Sequence, residues 1–398
     1  MSDIASRIPP RARLAGLALL ALPFVVTGCI PGAASQVNGV TNDTITIGSH
    51  LPLSGPAAVY GRSYQRSGQM IFDDVNASGG INGRKINVVW DDDGGDPGKS
   101  VASVKKLIER DKVFLIYGGP FTPAVMAAYP VAEEANVIYW SPGASTPQLT
   151  RPFNKYVFQA QLTLDDQAIP VAKLVASIGP KKIGFVREND QYGETTHGAT
   201  VDQLGKRGRS IAVDQTIEAD AVNATSQVGA LKEQGVDVVI FGGTEKPLTA
   251  LIREAYKQGL TAPIVSFGGG STPAIDQLVE SEAPVDFYSV TPIACQLSDP
   301  CAAEFMQKFQ AKFPGEQPLV WDAQGWVAAK AFVEGLKRAG RDLTPDRAID
   351  AWETMPPVSD PIVPYPIQFS KGDHRGVKGG FLYGIRGGKL SFFGDELK

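Results

Sequence analysis

Few residues in this chain are spaced for chemistry. Gly94-Gly95-Asp96-Pro97-Gly98-Lys99-Ser100 follows an expected strand and opens an expected helix, the setting of a phosphate loop. That loop needs a Gly five residues before Gly98, and the position is Asp93. The acidic run 91–93 would also repel phosphate, so the stretch reads as a Gly-rich turn into a helix capped by Asp96. The same run lacks the alternation and distal Glu of a calcium loop and reads as a solvated strand end. No G-x-S-x-G elbow exists: Ser145 and Ser271 each lack the second Gly, and neither has a His partner nearby in sequence. His50, His197 and His374 are scattered, none at metal-ligand spacing. No cofactor, metal or covalent catalysis is therefore expected.

What remains is a set of small, hydroxyl-rich loops. They are Leu53-Ser54-Gly55-Pro56, Gly118-Gly119-Pro120-Phe121-Thr122, Ser141-Pro142-Gly143-Ala144-Ser145, Asn189-Asp190-Gln191-Tyr192-Gly193, Gly242-Gly243-Thr244-Glu245 and Phe267-Gly268-Gly269-Gly270. Glycines let backbone N–H groups approach a small ligand, and Ser or Thr hydroxyls add directed hydrogen bonds. Helix N-termini behind such loops favour an anionic group such as a carboxylate.

The elements that position these loops are legible in the residue pattern. Alternating β-branched residues at 44–50 and the run at 85–92 predict strands around a helix at 62–77. Asp96 with Pro97 predicts a capped helix to about 110. Strands at 113–117 and 137–140 flank a helix at 123–135. The rhythm restarts after Gln161, with helices at 165–177, 192–207, 224–234 and 247–259 among strands at 182–187, 210–215, 237–241 and 263–267. Such alternation predicts an α/β fold of two Rossmann-like lobes with parallel sheets. A third stretch predicts a strand at 286–291, helices at 299–313, 321–339 and 345–354, and strands at 367–369, 379–385 and 389–393. Its order suggests a chain that returns to complete each lobe. The expected division is 43–160 plus 292–360 for the first lobe and 161–291 plus 361–398 for the second.

Composition narrows the partners. Of 398 residues 43% are hydrophobic and 20% charged, which excludes a disordered chain, and the length suits two cores. A net charge of −4 argues against nucleic acid as partner. Arg7, Arg11 and Arg13 precede an apolar run at 14–26, shorter than the roughly 20 residues that span a bilayer. The run ends in Val26-Thr27-Gly28-Cys29, which resembles the lipobox of bacterial lipoproteins. The resemblance implies a signal peptide at 1–28, diacylglycerol on Cys29, a flexible tether at 29–42, and a body held at a membrane in the periplasm or on the cell surface. Without residues 1–28 the chain carries 35 basic and 41 acidic residues. In an oxidising compartment Cys295 and Cys301, separated by five residues that include Asp299-Pro300, are expected to close a small disulfide loop.

From Asp43 onward the chain resembles the type I periplasmic binding proteins of the leucine/isoleucine/valine-binding family. The resemblance rests on Pro52-Leu53-Ser54-Gly55-Pro56 with Tyr60-Gly61, the run from Asn76 to Gly83, Asp96-Pro97, Ser141-Pro142-Gly143-Ala144-Ser145, and Gln191-Tyr192-Gly193. It implies two lobes joined by three hinge crossovers that close on a ligand and deliver it to the permease of an ABC importer. It also implies a non-enzymatic, monomeric protein. On matching positions, Thr122, Ala144 and Ser145 would receive a ligand carboxylate. Tyr60 and Tyr192 would line the cleft, with Trp321 a further pocket residue. The departures concern the ligand's other end. The carboxylate that pairs with an amino acid's ammonium is replaced by Gly269, and an aromatic of the second lobe by Thr244, followed by Glu245. Either Glu245 has taken over the counter-charge, or the ligand lacks an α-amino group, as an organic acid or amide would. A sensory receptor of the same fold and a secreted α/β hydrolase are the alternative functions.

Overall fold

β-Branched and aromatic runs bounded by Gly, Asp and Pro set the strands, and amphipathic stretches between them set the helices. The computed structural model describes residues 37–393 apart from Ser271, Pro292, Pro364 and Gly388. The expected signal peptide, the lipidated Cys29 and tether residues 29–36 lie outside the described residues. Residues 37–42, expected as tether, instead pack on the body. Val37 and Val40 rest against the first lobe's core, and the Thr46 N–H donates to the Gly39 carbonyl at 2.7 Å.

The first lobe is built from β1 (Thr44–Leu51), α1 (Ala58–Ala77), β2 (Lys85–Asp92), α2 (Pro97–Glu109), β3 (Leu115–Tyr117), α3 (Thr122–Glu134), β4 (Ile138–Ser141) and β5 (Val157–Gln159). Its strands form a parallel sheet in the order β2-β1-β3-β4-β5. The Asp96 side chain accepts from the Lys99 N–H with Pro97 at the first helical position, so α2 starts where its cap dictates. β5 is three residues long and was absent from the sequence reading, because its pairing with β4 rather than its own pattern makes it a strand.

The second lobe repeats the scheme with α4 (Leu164–Ile178), β6 (Ile183–Glu188), α5 (Gln191–Gly205), β7 (Ile211–Ile217), α6 (Thr225–Glu233), β8 (Val238–Gly242), α7 (Glu245–Gln258), β9 (Ile264–Ser266), α8 (Pro273–Gln277) and β10 (Phe287–Thr291). The parallel order β7-β6-β8-β9-β10 mirrors the first sheet. The chain then supplies α9 (Ala303–Lys312), α10 (Val320–Arg338) and α11 (Pro345–Thr354) to the first lobe. Last, β11 (Phe381–Arg386) and β12 (Lys389–Phe393) join the second sheet as antiparallel strands at its edge beyond β10. Each sheet has apolar packing on both faces, as parallel sheets require.

The last passage between lobes comes later than the expected boundary at 360. Ile362, Ile367 and Phe369 lie in the first lobe's core, and His374 stacks on Phe158 at 3.8 Å and bonds the Val157 carbonyl at 2.9 Å. The crossing falls at 377–380, where Val377 packs on both cores. The strand expected at 367–369 is reduced to a single bridge between Val358 and Ile367. Cys295 and Cys301 are joined by a disulfide.

The first core is aromatic. Trp352 is fully buried on Phe332 and Trp140, at centroid distances of 5.7 and 6.4 Å, and donates from Nε1 to the Phe332 carbonyl at 3.2 Å. Trp352→Ala should destabilise the protein by about 3–5 kcal/mol, read as a lowered urea midpoint. A loss below 1 kcal/mol would contradict this packing.

Candidate ligand-binding site

In each sheet the strand order reverses at one point, between β1 and β3 and between β6 and β8. In open α/β sheets ligands bind outside the strand ends at such points. The loops at both points meet at one cavity, lined by Tyr60, Phe121, Thr122, Ser145, Tyr192, Thr244, Gly268, Gly269 and Trp321 among others. The cavity volume is about 60 Å³, room for roughly four to six waters at roughly 10–15 Å³ each. That suits a small solute. No Asp, Glu, Lys, Arg or His stands among the described lining residues.

On the first-lobe side, α3 begins at the cavity with Thr122. Its N-cap residue Phe121 supplies no side-chain cap, and its first turn holds no acidic residue. The Thr122 and Ser145 hydroxyls make no hydrogen bond with other described residues, although Thr122 is only 2% exposed. A helix start without a side-chain cap, in which Pro123 has no N–H of its own, stands here beside two unengaged hydroxyls, an arrangement that can receive an anion. On the second-lobe side, the Tyr192 hydroxyl accepts the Gly269 N–H at 3.3 Å, which leaves its own proton free. The Tyr60 hydroxyl crosses between lobes, donating to the Gly269 carbonyl at 3.2 Å and accepting the Glu245 N–H at 3.3 Å. Tyr60 is held by an edge contact with Trp321 at 4.5 Å. Burial pushes both phenols upward, so they stay protonated donors.

A family model for periplasmic binding proteins matches residues 44–389. This chain is a type I periplasmic binding protein of the leucine/isoleucine/valine-binding family. It is similar to an amino acid binding protein of Pseudomonas aeruginosa, 30% identical over 317 residues that cover 79% of this chain and 84% of that one. A leucine-, isoleucine-, valine-, threonine- and alanine-binding protein of the same organism is 27% identical, covering 81% and 85%. A periplasmic binding protein type 1 of Bordetella pertussis Tohama I shares the fold with a TM-score of 0.78 at 24% identity, over 88% of this chain and 100% of that one.

Two expected site residues of this periplasmic binding protein lie outside the cavity lining. Ala144 is fully buried in the core, and its backbone is spent inside the lobe. Its N–H donates to Ser141 Oγ at 3.1 Å, and its carbonyl accepts from Gln159 at 2.9 Å. Glu245 starts α7 beside the cavity, with its N–H committed to Tyr60. Gly269 does line the cavity, and a β-carbon there would stand 2.8 Å from the Gly243 carbonyl and 3.0 Å from the Tyr192 hydroxyl. A carboxylate side chain at 269 would need both to move.

In the acidic run 91–93, expected at a solvated strand end, Asp91 and Asp92 do reach solvent, but the run also holds the neighbouring loops. Asp92 accepts the Leu53, Ser54 and Gly94 N–H groups. Asp93 is buried, bonded to His50 at 2.8 Å and Ser100 at 2.9 Å, and His50 bonds Tyr139 at 2.7 Å. Gln161 and Leu162, at the change of lobes expected there, also line the cavity and were not among the expected site residues, and neither was Glu188. Glu188 ends β6 at 0% exposure and receives hydrogen bonds from the Thr244 N–H, at 2.8 Å, and the Thr244 hydroxyl. A lone Glu at a strand end carries no local signal of burial.

Burial pushes the Glu188 carboxyl from 4.5 up to about 7, against the lowering by Thr244. The folded state therefore holds this proton at a pH where the unfolded chain has released it. That stability is present below about pH 4.5 and is lost as pH rises to about 7, by up to about 3 kcal/mol. Melting curves should show a shallower decline across this window in Glu188→Gln than in the wild type. Parallel profiles would contradict the burial of a titrating carboxyl.

Proposed function

We propose that this protein is the extracytoplasmic solute receptor of an ABC importer, exported by its signal peptide and lipid-anchored through Cys29. In this reading it closes by hinge motion on a small carboxylate-bearing solute, an amino acid or a related organic acid or amide. The observation that carries the reading is the uncapped N-terminus of α3, set with the free Thr122 and Ser145 hydroxyls in a cavity between the lobes. The ligand's carboxylate supplies the acceptor oxygens that these donors lack. The names of the two Pseudomonas aeruginosa relatives favour amino acids within this class. The protein acts by binding and release, and its permease performs the transport.

A thermal-shift panel of amino acids, aliphatic and aromatic acids, amides and urea tests the reading. A true ligand at 100 times Kd should stabilise the fold by about 2.7 kcal/mol. A panel without any shift would sink the carboxylate-solute assignment. Thr122→Ala should weaken binding of the hit about tenfold or more, as expected for a lost hydrogen bond to a charged group, while the unliganded Tm stays near that of the wild type. Wild-type affinity in this variant would remove Thr122 from the site. Mass spectrometry of membrane-extracted protein should find diacylglycerol on Cys29; a free thiol there would refute the anchor.

A further inference from the structure

Two of the helix N-termini at this cavity, those of α3 and α7, are not equivalent. α3 offers unpaired donors, whereas α7 already carries a carboxylate. Its N-cap Thr244 gives both its N–H and its hydroxyl proton to Glu188 Oε1. The Glu188 side chain lies directly beneath this loop, since a β-carbon on Gly243 would stand 3.0 Å from Glu188 Cγ. Glu188 Oε2 is buried and has no hydrogen-bond partner among the described residues. A buried carboxyl oxygen left unpaired costs about 1–3 kcal/mol or more.

A threonine hydroxyl has one proton and two lone pairs. With its proton committed to Glu188, Thr244 can offer the cavity only lone pairs. Its polarity holds whether or not the carboxyl is ionised, because Oε1 already accepts two bonds and an added proton goes to Oε2. Resting on the reading of the cavity as a carboxylate-solute site, we propose that Glu188 is a positioning residue that sets specificity. It fixes Thr244 as an obligate acceptor, with a carboxyl one bond behind it. This end of the cavity takes the N–H-bearing end of the solute, an ammonium or amide, while the carboxylate docks on α3. Charge discrimination thus comes from β6 through Thr244, rather than from Gly269, which has no side chain, or from Glu245, which does not line the cavity.

Titration calorimetry with matched probe pairs tests this: leucine with 4-methylpentanoate, phenylalanine with 3-phenylpropanoate, and alanine with propanoate. The wild type should bind the amino member of at least one pair tenfold or more tighter than its des-amino partner. Glu188→Gln and Thr244→Val should each bring that ratio to within threefold of unity, and Thr244→Ser, which keeps the hydroxyl, should restore it. General damage to the fold would lower both affinities and leave the ratio unchanged. An unchanged ratio in Thr244→Val, or a wild-type preference for the des-amino acids, overturns the proposal while the cavity reading stands. Failure of every probe to bind the wild type overturns the cavity reading and the proposal with it.

Discussion

A helix that follows a parallel strand leaves its first N–H groups unpaired at the strand's C-terminal end, and these donors must be satisfied by something. The requirement organises this molecule. In the second lobe the donors of α7 are met from within, by Glu188 and the Tyr60 hydroxyl. In the first lobe those of α3 are left facing a cavity beside two unengaged hydroxyls. The same local problem is met from within at one helix and left open to the cavity at the other.

The binding loops stand on a buried polar layer. Beneath the loops after β1 and β3, Asp93, His50, Tyr139 and Ser100 form a connected hydrogen-bond network with no solvent exposure at His50. Such a network is costly when partly satisfied and rigid when complete. Asp92, one residue earlier, ties the loop after β1 to the loop after β2 by accepting the Leu53, Ser54 and Gly94 N–H groups. The acidic run thus acts as scaffold for the loops that carry Tyr60 and Thr122.

Across the cavity the lobes meet through main-chain atoms as well as side chains. Tyr60 reaches the Gly269 carbonyl and the Glu245 N–H, and Gly269 returns its own N–H to Tyr192. These bonds need a backbone that approaches closely, which is why Gly269 has room for no β-carbon. The residue that seemed to be missing a carboxylate is instead a point where both lobes touch.

Much of the architecture was legible in the chain because it depends on local chemistry. The period of the apolar residues, the Asp96-Pro97 start of α2 and the strand-end glycines all act within a few residues, and they predicted two α/β lobes and the loops that meet at the cavity. Thr122, Ser145, Tyr60, Tyr192, Thr244, Gly269 and Trp321 were expected at the site from the family resemblance, and they line one cavity. What lay beyond the sequence were pairings across long separations. The β4–β5 ladder, the late crossing at 377–380 and the withdrawal of Ala144 into the core depend on neighbours that only folding supplies. The setting of Glu188 is the sharpest case. Glu188 and Thr244 are 56 positions apart, and their bond exists only because β6 and β8 are adjacent at a reversal of strand order. Local pattern determined where a solute could bind. Tertiary structure decided which carboxyl stands behind the site, because burial and hydrogen bonding are properties of the assembled lobes.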